Sequence, residues 1–420
     1  MKKWTILKIA AFTFAFFLII WRLVFIPITD EKNGRDSNHG DLYSDQNVYS
    51  AAMYYYDFGF FKTALVPVQQ YKGDGDAKAG VLYTHYPPVP DIMGGVFMVI
   101  NHSKDPRLMR IWMVLLSIGL FFLIFYALKV FLKDDKLAVT SGVILVVSNY
   151  FIGFGDSLHK HIYEELFKWG FVLILYNYYM GGRKNKMLVG WLTLLMVIGV
   201  NVSFELVVYS AVITVGFSII FLKRIFNWEN FALGFASIFG LGLHFLQNAI
   251  ALGGWDKAWE DQVVSFGQRT SGENHFIKVG IKEFLTFPLP FINRAERMFA
   301  IPGWTLVLMS YWLIKWIREQ EKMMGKILLV LLIAGYSWSL TIFQHAYVHE
   351  FTIRQMSLFY GIVIGPLFYI YLQKFREYYR TKAYWKFSFV VLIGIYSVGM
   401  FLTQQVWQVF LRRTLLYPFL

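Results

Sequence analysis

The sequence predicts an all-α, polytopic membrane protein, and three observations carry that prediction. The 420 residues are 57% hydrophobic and 19% aromatic, only 16% are charged, and the mean hydropathy is +0.47. Soluble domains rarely show that balance. Apolar windows of about 20 residues, the length a helix needs to cross a bilayer, recur along the whole chain. The short alternating strands of a membrane barrel are absent from the pattern.

Taken in order, the apolar windows predict about eleven transmembrane helices, each bounded by charge. They lie at 4–27, 106–132, 137–155, 162–180, 187–201, 202–222, 231–251, 302–317, 327–343, 354–373 and 387–404. The pair at 187–201 and 202–222 is fused through "NVSFE" and reads equally as two spans or one broken helix pair. The first stretch is too long for a cleaved signal peptide, and no small-x-small site follows it, so it reads as a retained anchor. The segments between spans are too short for an independent core. Residues 1–420 therefore read as a single integral membrane domain.

Lys and Arg in the short loops predict the orientation. "MKK", "KDDK", "GGRKNK", "LKR", "KWIREQEKMMGK" and "QKFREYYRTKAYWK" occupy alternate connections and mark the inner side. The N-terminus is then inside and the C-terminus outside. The net charge of +13 belongs to this anchoring and to attraction for anionic lipid. It does not point to nucleic acid, since no basic motif of a nucleic-acid module is present. The absence of cysteine excludes disulfides, zinc–thiolate sites and thiol chemistry.

Two long segments face outward, 28–105 and 252–301, and loops of that length commonly carry function. Acids and histidines from five parts of the chain gather on that side, among them Asp45, His85, Asp156, His159, Glu164, Glu165, Glu205, His345 and His349. For any one of them the plainer reading is ordinary loop polarity. "SDQNVYSAAMYYYDFGFF" (44–61) has its apolar residues near a helical period, with Ser44 or Asp45 as the cap of a helix lying on the outer leaflet. In "YTHYPPVPDIMGG" (83–95), Pro87 and Pro88 impose an extended stretch before the next apolar segment. A cap and a stiff turn explain both without any chemistry.

Together these two motifs resemble the GT-C superfamily of integral-membrane glycosyltransferases, closest to bacterial relatives of the protein-mannosyltransferase and aminoarabinose-transferase group. That group often carries a soluble C-terminal domain, for which this chain shows no sequence. The resemblance implies a GT-C-like fold whose large first external loop contains interfacial helices. It implies an inverting transfer of a sugar from a polyprenyl-phosphate-linked donor to an acceptor hydroxyl of a glycan, lipid or protein. The setting it implies is the periplasmic or extracellular face of a bacterial plasma membrane. Asp45 matches the catalytic acid of the first external loop, and Asp156, in "GFGDSLHKHIYEELF", the acid of the second. If the stretch after Asp156 is helical, His159 and Lys160 share its face.

Such a transfer needs a base near the acceptor and positive charge at the leaving phosphate. Asp45 is the expected base. His85 and Tyr86 in the proline motif, with His159 and Lys160, are expected substrate-binding residues. His345, His349 and Arg354 in "QHAYVHEFTIRQ" and Arg269 in "FGQRTSGENH" are the expected donor ligands, with Arg294 and Arg297 nearby. For Arg354 an ion pair with Glu350 or headgroup snorkelling serves as well. His345 and His349 have metal-ligand spacing but lack the acid of HExxH. A divalent cation, Mg or Mn, stays open, with Asp45 and Asp156 as its candidate ligands.

Three rival functions remain. A transporter would place charged or Gly/Pro-broken helices at the bilayer midplane, whereas these mid-span positions read as almost purely apolar. A lipid-linked-glycan ligase or polymerase would carry its large loop late, as 252–301 allows, but "YTHYPP" speaks against it. A membrane acyltransferase would hold its histidine within the bilayer.

Overall fold

The computed structural model describes residues 42–270, 280–301, 303–319 and 322–403, apart from isolated positions nearer the N-terminus. The expected span 4–27 thus lies almost wholly outside the described residues. Helix α1 (Leu42–Phe58) is followed by a short antiparallel ladder, β1 (Val68–Gln69) with β2 (Val81–Leu82), in which Val68 faces Leu82. Then come α2 (Val89–Asn101), α3 (Pro106–Leu132), α4 (Asp135–Val146), α5 (Asn149–Ile152) and α6 (His161–Met180). Next are α7 (Met187–Val200), α8 (Glu205–Leu222), α9 (Trp228–Leu252), α10 (Trp255–Thr270), α11 (Ile281–Thr286) and α12 (Pro288–Met298). The chain continues through α13 (Gly303–Leu308), α14 (Ser310–Glu319), α15 (Lys322–Thr341) and α16 (Phe343–Val348). A 3₁₀ segment (Glu350–Met356), α17 (Ser357–Arg380) and α18 (Tyr384–Met400) complete it.

Six of the described helices are long and apolar enough to cross a membrane: α3, α8, α9, α15, α17 and α18. The protein is an integral, multi-pass membrane protein, and the expected eleven spans are not reached among the described residues. The other expected spans are shorter, more polar or interrupted. The span expected at 137–155 stops at Val146, and the one expected at 302–317 breaks at Met309. The ambiguous region resolves into two helices, α7 and α8, joined by a turn at 201–204 in which Asn201 Nδ2 bonds the carbonyls of Val197 and Gly240.

Local chemistry sets the helix starts. Asp105 accepts the Arg107 amide at 2.8 Å ahead of α3, with Pro106 in the first turn, where a missing N–H costs nothing. Asp134 caps α4 through the amides of Lys136 and Leu137. Asn227 caps α9 through the amide of Asn230.

Packing then fixes the layout. Helices α1 and α2 lie against each other, α8 against α15, α4 against α17, and α7 against α9. The glycines of "PDIMGG" permit the first of these contacts: a Cβ on Gly95 would come within 2.9 Å of the Tyr55 side chain. The chain alternates in direction, so Arg110 in α3, the starts of α6, α8 and α17, and the ends of α9 and α15 share one end of the bundle. The basic connections at 133–136, 181–186, 223–227 and 381–383 share the other.

Candidate active site

The site is built around an irregular turn, 153–160, between α5 and α6. A Cβ on Gly153 would lie 2.6 Å from the Asn149 carbonyl oxygen, and one on Gly155 would lie 2.9 Å from that of Phe151. Only glycine lets the chain fold back this tightly, and the Ser117 hydroxyl on α3 pins the turn through the Gly155 carbonyl. The helical face expected for Asp156, His159 and Lys160 is therefore not formed; the turn brings these residues together by another route.

Asp45 lies inside the first turn of α1 rather than ahead of it, and it is buried, 7% exposed. Its Oδ1 accepts the Ser157 hydroxyl at 2.6 Å and the His159 amide at 3.0 Å. Two bonds on one oxygen fix the plane of the carboxylate. Asp156, one residue before Ser157, is buried in an ion pair with Arg110 of α3. The two acids expected from separate external segments thus meet at one turn. Ser157 and Arg110 had no place in the sequence reading. The signal for Arg110 was an arginine near the start of a long, otherwise apolar helix.

Lys160 is 1% exposed. It pairs with Glu164 at 3.1 Å and with Glu205 at the start of α8, and it lies 5.5 Å from the ring centres of both Tyr86 and Phe351. Burial alone would push its ammonium down, but the carboxylates of Glu164 and Glu205 overcome that and raise it. Gln355 donates to Glu205 at 2.5 Å and ties the 3₁₀ segment to the cluster.

The proline motif docks onto α10. Asp261 accepts the Thr84 hydroxyl at 2.6 Å and lies 3.1 Å from His85 Nε2, while Gln262 and Asn248 donate to the Thr84 carbonyl. Tyr86 Oη and His345 Nε2 are 3.0 Å apart, and the rings of His345 and His349 are 4.5 Å apart. His349 follows the end of α16 in an extended conformation, so this histidine pair is not the pair on one helix face that its spacing implied. Arg294 donates to the carbonyls of Ala346 and Tyr347 and holds this segment by its helix end. The side chains of Arg269 and Glu350 lie outside the described residues.

Arg354, expected as a phosphate ligand at the membrane boundary, is instead 2% exposed and interior. It donates to the Tyr150 carbonyl at 2.9 Å and the His161 carbonyl at 3.4 Å, which are the two ends of the 153–160 turn. Its guanidinium is 3.8 Å from Glu165, which also pairs with Lys168 at 2.6 Å and accepts the hydroxyls of Tyr150 and Ser357. Charge is therefore buried within α6 itself, where the sequence read as apolar.

Beside this cluster opens a groove of about 390 Å³. Tyr86, Ser203, Glu205, Gln262 and Ser265 supply its polar part, and residues of α8, α9, α10 and α15, including Val208, Leu241 and Trp338, its apolar walls. A hard divalent cation needs several oxygen ligands. Among the described residues no group of three or more His, Asp or Glu side chains is gathered to hold one, and Asp156 is engaged by Arg110. The described residues alone do not fit such an ion.

Solved structures share this fold. The apo oligosaccharyltransferase of Archaeoglobus fulgidus superposes with a TM-score of 0.52 at 10% identity, over 95% of this chain and 56% of that one. The oligosaccharyltransferase AglB of the same organism, in complex with an inhibitory peptide and a dolichol-phosphate, gives 0.52 at 11% identity, over 95% and 55%. The chain has the GT-C fold. It spans a little over half the length of these structures, and at this identity the likeness is one of fold. No family model matches the chain, and no curated protein matches it in sequence.

Proposed function

We propose that the protein is an inverting glycosyltransferase that moves a sugar from a polyprenyl-phosphate-linked donor to an acceptor hydroxyl at the outer membrane face, within one domain spanning residues 1–420. The observation that carries this reading is the meeting of Asp45 with the Asp156–Lys160 turn beside a groove that is polar at one part and apolar along its walls. Two structures with the same fold are oligosaccharyltransferases, and one of them holds a dolichol-phosphate, a lipid of the kind the groove would take.

In this reading the acceptor oxygen attacks the anomeric carbon as the bond to phosphate breaks. The polyprenyl phosphate leaves with the bonding electrons, and the carbon inverts. Asp45 takes the hydroxyl proton, its carboxylate held in plane by Ser157 and His159. His345 and His349 face the leaving phosphate, with Arg269 as a further donor ligand, and His85 and Tyr86 line the approach. Asp156 and Arg110 hold the turn, and Arg354 is a positioning residue rather than a donor ligand.

The test is Asp45→Asn, which keeps size and a hydrogen-bond acceptor but removes basicity. Release of polyprenyl phosphate from a panel of radiolabelled polyprenyl-phosphate sugars would be followed in nanodiscs. The expected loss is about 10²–10⁴-fold in rate with a melting temperature near wild type. Transfer at the wild-type rate would move the base elsewhere. A transport reading draws on the buried Glu165, Lys168 and Arg354, and it predicts solute flux without phosphate release.

A further inference from the structure

At the basic end of the bundle, opposite the site, α8 and α15 enclose a second groove, of about 710 Å³. That size lies within the range of small-molecule sites, roughly 300–1,000 Å³. The two helices touch closely because Gly216 has no side chain: a Cβ there would come within 2.5 Å of Val330. Above that contact the walls are wholly aliphatic, and Ile219, Leu329 and Ile333 are exposed along the flank that would face lipid.

The mouth is different. Lys223, just past the end of α8, and Lys326, just inside the start of α15, line the same groove. The helices are antiparallel, so both lysines stand at one end. Neither makes an ion pair among the described residues, and Lys223 Nζ reaches only the Ile220 carbonyl, at 3.3 Å. Two uncompensated cations above an aliphatic slot match one ligand chemistry, an anionic head on hydrocarbon chains.

We infer that this groove is a binding site for an anionic glycerophospholipid, with its acyl chains between α8 and α15 and its phosphate between Lys223 and Lys326. The inference stands apart from the proposed transferase site, which lies at the other end of the same two helices. Zwitterionic lipid fits less well, because its head brings its own cation to two others.

The purified full chain in non-ionic detergent, titrated with phosphatidylglycerol or phosphatidylcholine and read by native mass spectrometry, tests this. Wild type should retain phosphatidylglycerol in preference to phosphatidylcholine. Lys223→Gln with Lys326→Gln should lower that preference about 30-fold, since each lysine near an anionic head contributes about fivefold. Lys184→Gln with Lys186→Gln, in a basic connection outside the groove, should leave it unchanged. Leu329→Trp, at an exposed flank position, should reduce retention of both lipids and serves if the double variant does not fold. Equal retention of the two lipids by wild type would overturn the inference. So would an equal loss in the Lys184 and Lys186 control, which would assign the attraction to general surface charge, or retention unaffected by Leu329→Trp.

Discussion

The two ends of α6 both bury an acid, and they do so very differently. At the Met180 end, Glu229 is 1% exposed and bonds Tyr178 at 2.9 Å and Arg183, whose side chain is 28% exposed. Arg183 keeps access to solvent, so that pair is a simple anchor. At the His161 end, Glu165 has no exposure, and its cationic neighbours Lys168 and Arg354 have 0% and 2%. Desolvated charges are costly unless every partner is present. One end of the helix therefore tolerates loss and the other does not, and the intolerant end carries the turn that holds Asp45.

Replacing acids at the two ends breaks the comparison most directly. Glu165→Ala strands two buried cations and should cost about 3–5 kcal/mol. Glu229→Ala leaves an arginine that water can reach and should cost about 1–2 kcal/mol. Thermal melts in one detergent decide it, and equal losses would mean that the two ends are energetically alike.

Arg354→Lys sharpens the contrast. The charge stays, but the fork that grips the Tyr150 and His161 carbonyls is lost. A displaced turn should lower kcat about tenfold or more and leave the donor KM nearly unchanged. A raised KM with kcat intact would restore Arg354 to the phosphate-ligand role that its place in the sequence suggests.

The smallest effect belongs to Asp91, a buried acid in the first turn of α2, outside the spans. Burial pushes its carboxyl from the usual 3.8 up to about 7, against a bond from its own amide. Between those values the folded chain holds a proton that the unfolded chain has released, so stability falls as pH rises from about 4 to about 7. Asp91→Asn should remove that slope. Its melting temperature should gain on wild type by about 2–4 °C between pH 5 and pH 8, and parallel curves would reject the assignment.

Much of this was legible beforehand. Membrane class, the helices α3, α6, α8, α9, α15 and α17, and a candidate site at the end away from the basic connections follow from hydropathy and charge, because those signals are local. Asp45 and Asp156 stand out through the motifs that resemble GT-C enzymes. Asp261, Ser157 and Arg110 do not, because each matters only through a partner distant in sequence. The two glycines of the 153–160 turn are its one local signal in the sequence.

By itself the sequence determined where the long apolar helices lie, which connections are basic, and which residues could bear charge. Those properties belong to single residues or short windows, and the solvent reads them directly. The tertiary structure decided which charges meet. It turned Arg354 from a boundary cation into a clamp, set Lys160 between two carboxylates, and brought Asp45 to a hydroxyl and an amide more than a hundred residues away. A buried charge is stable only where its partners surround it, and that pairing exists only once the helices have packed.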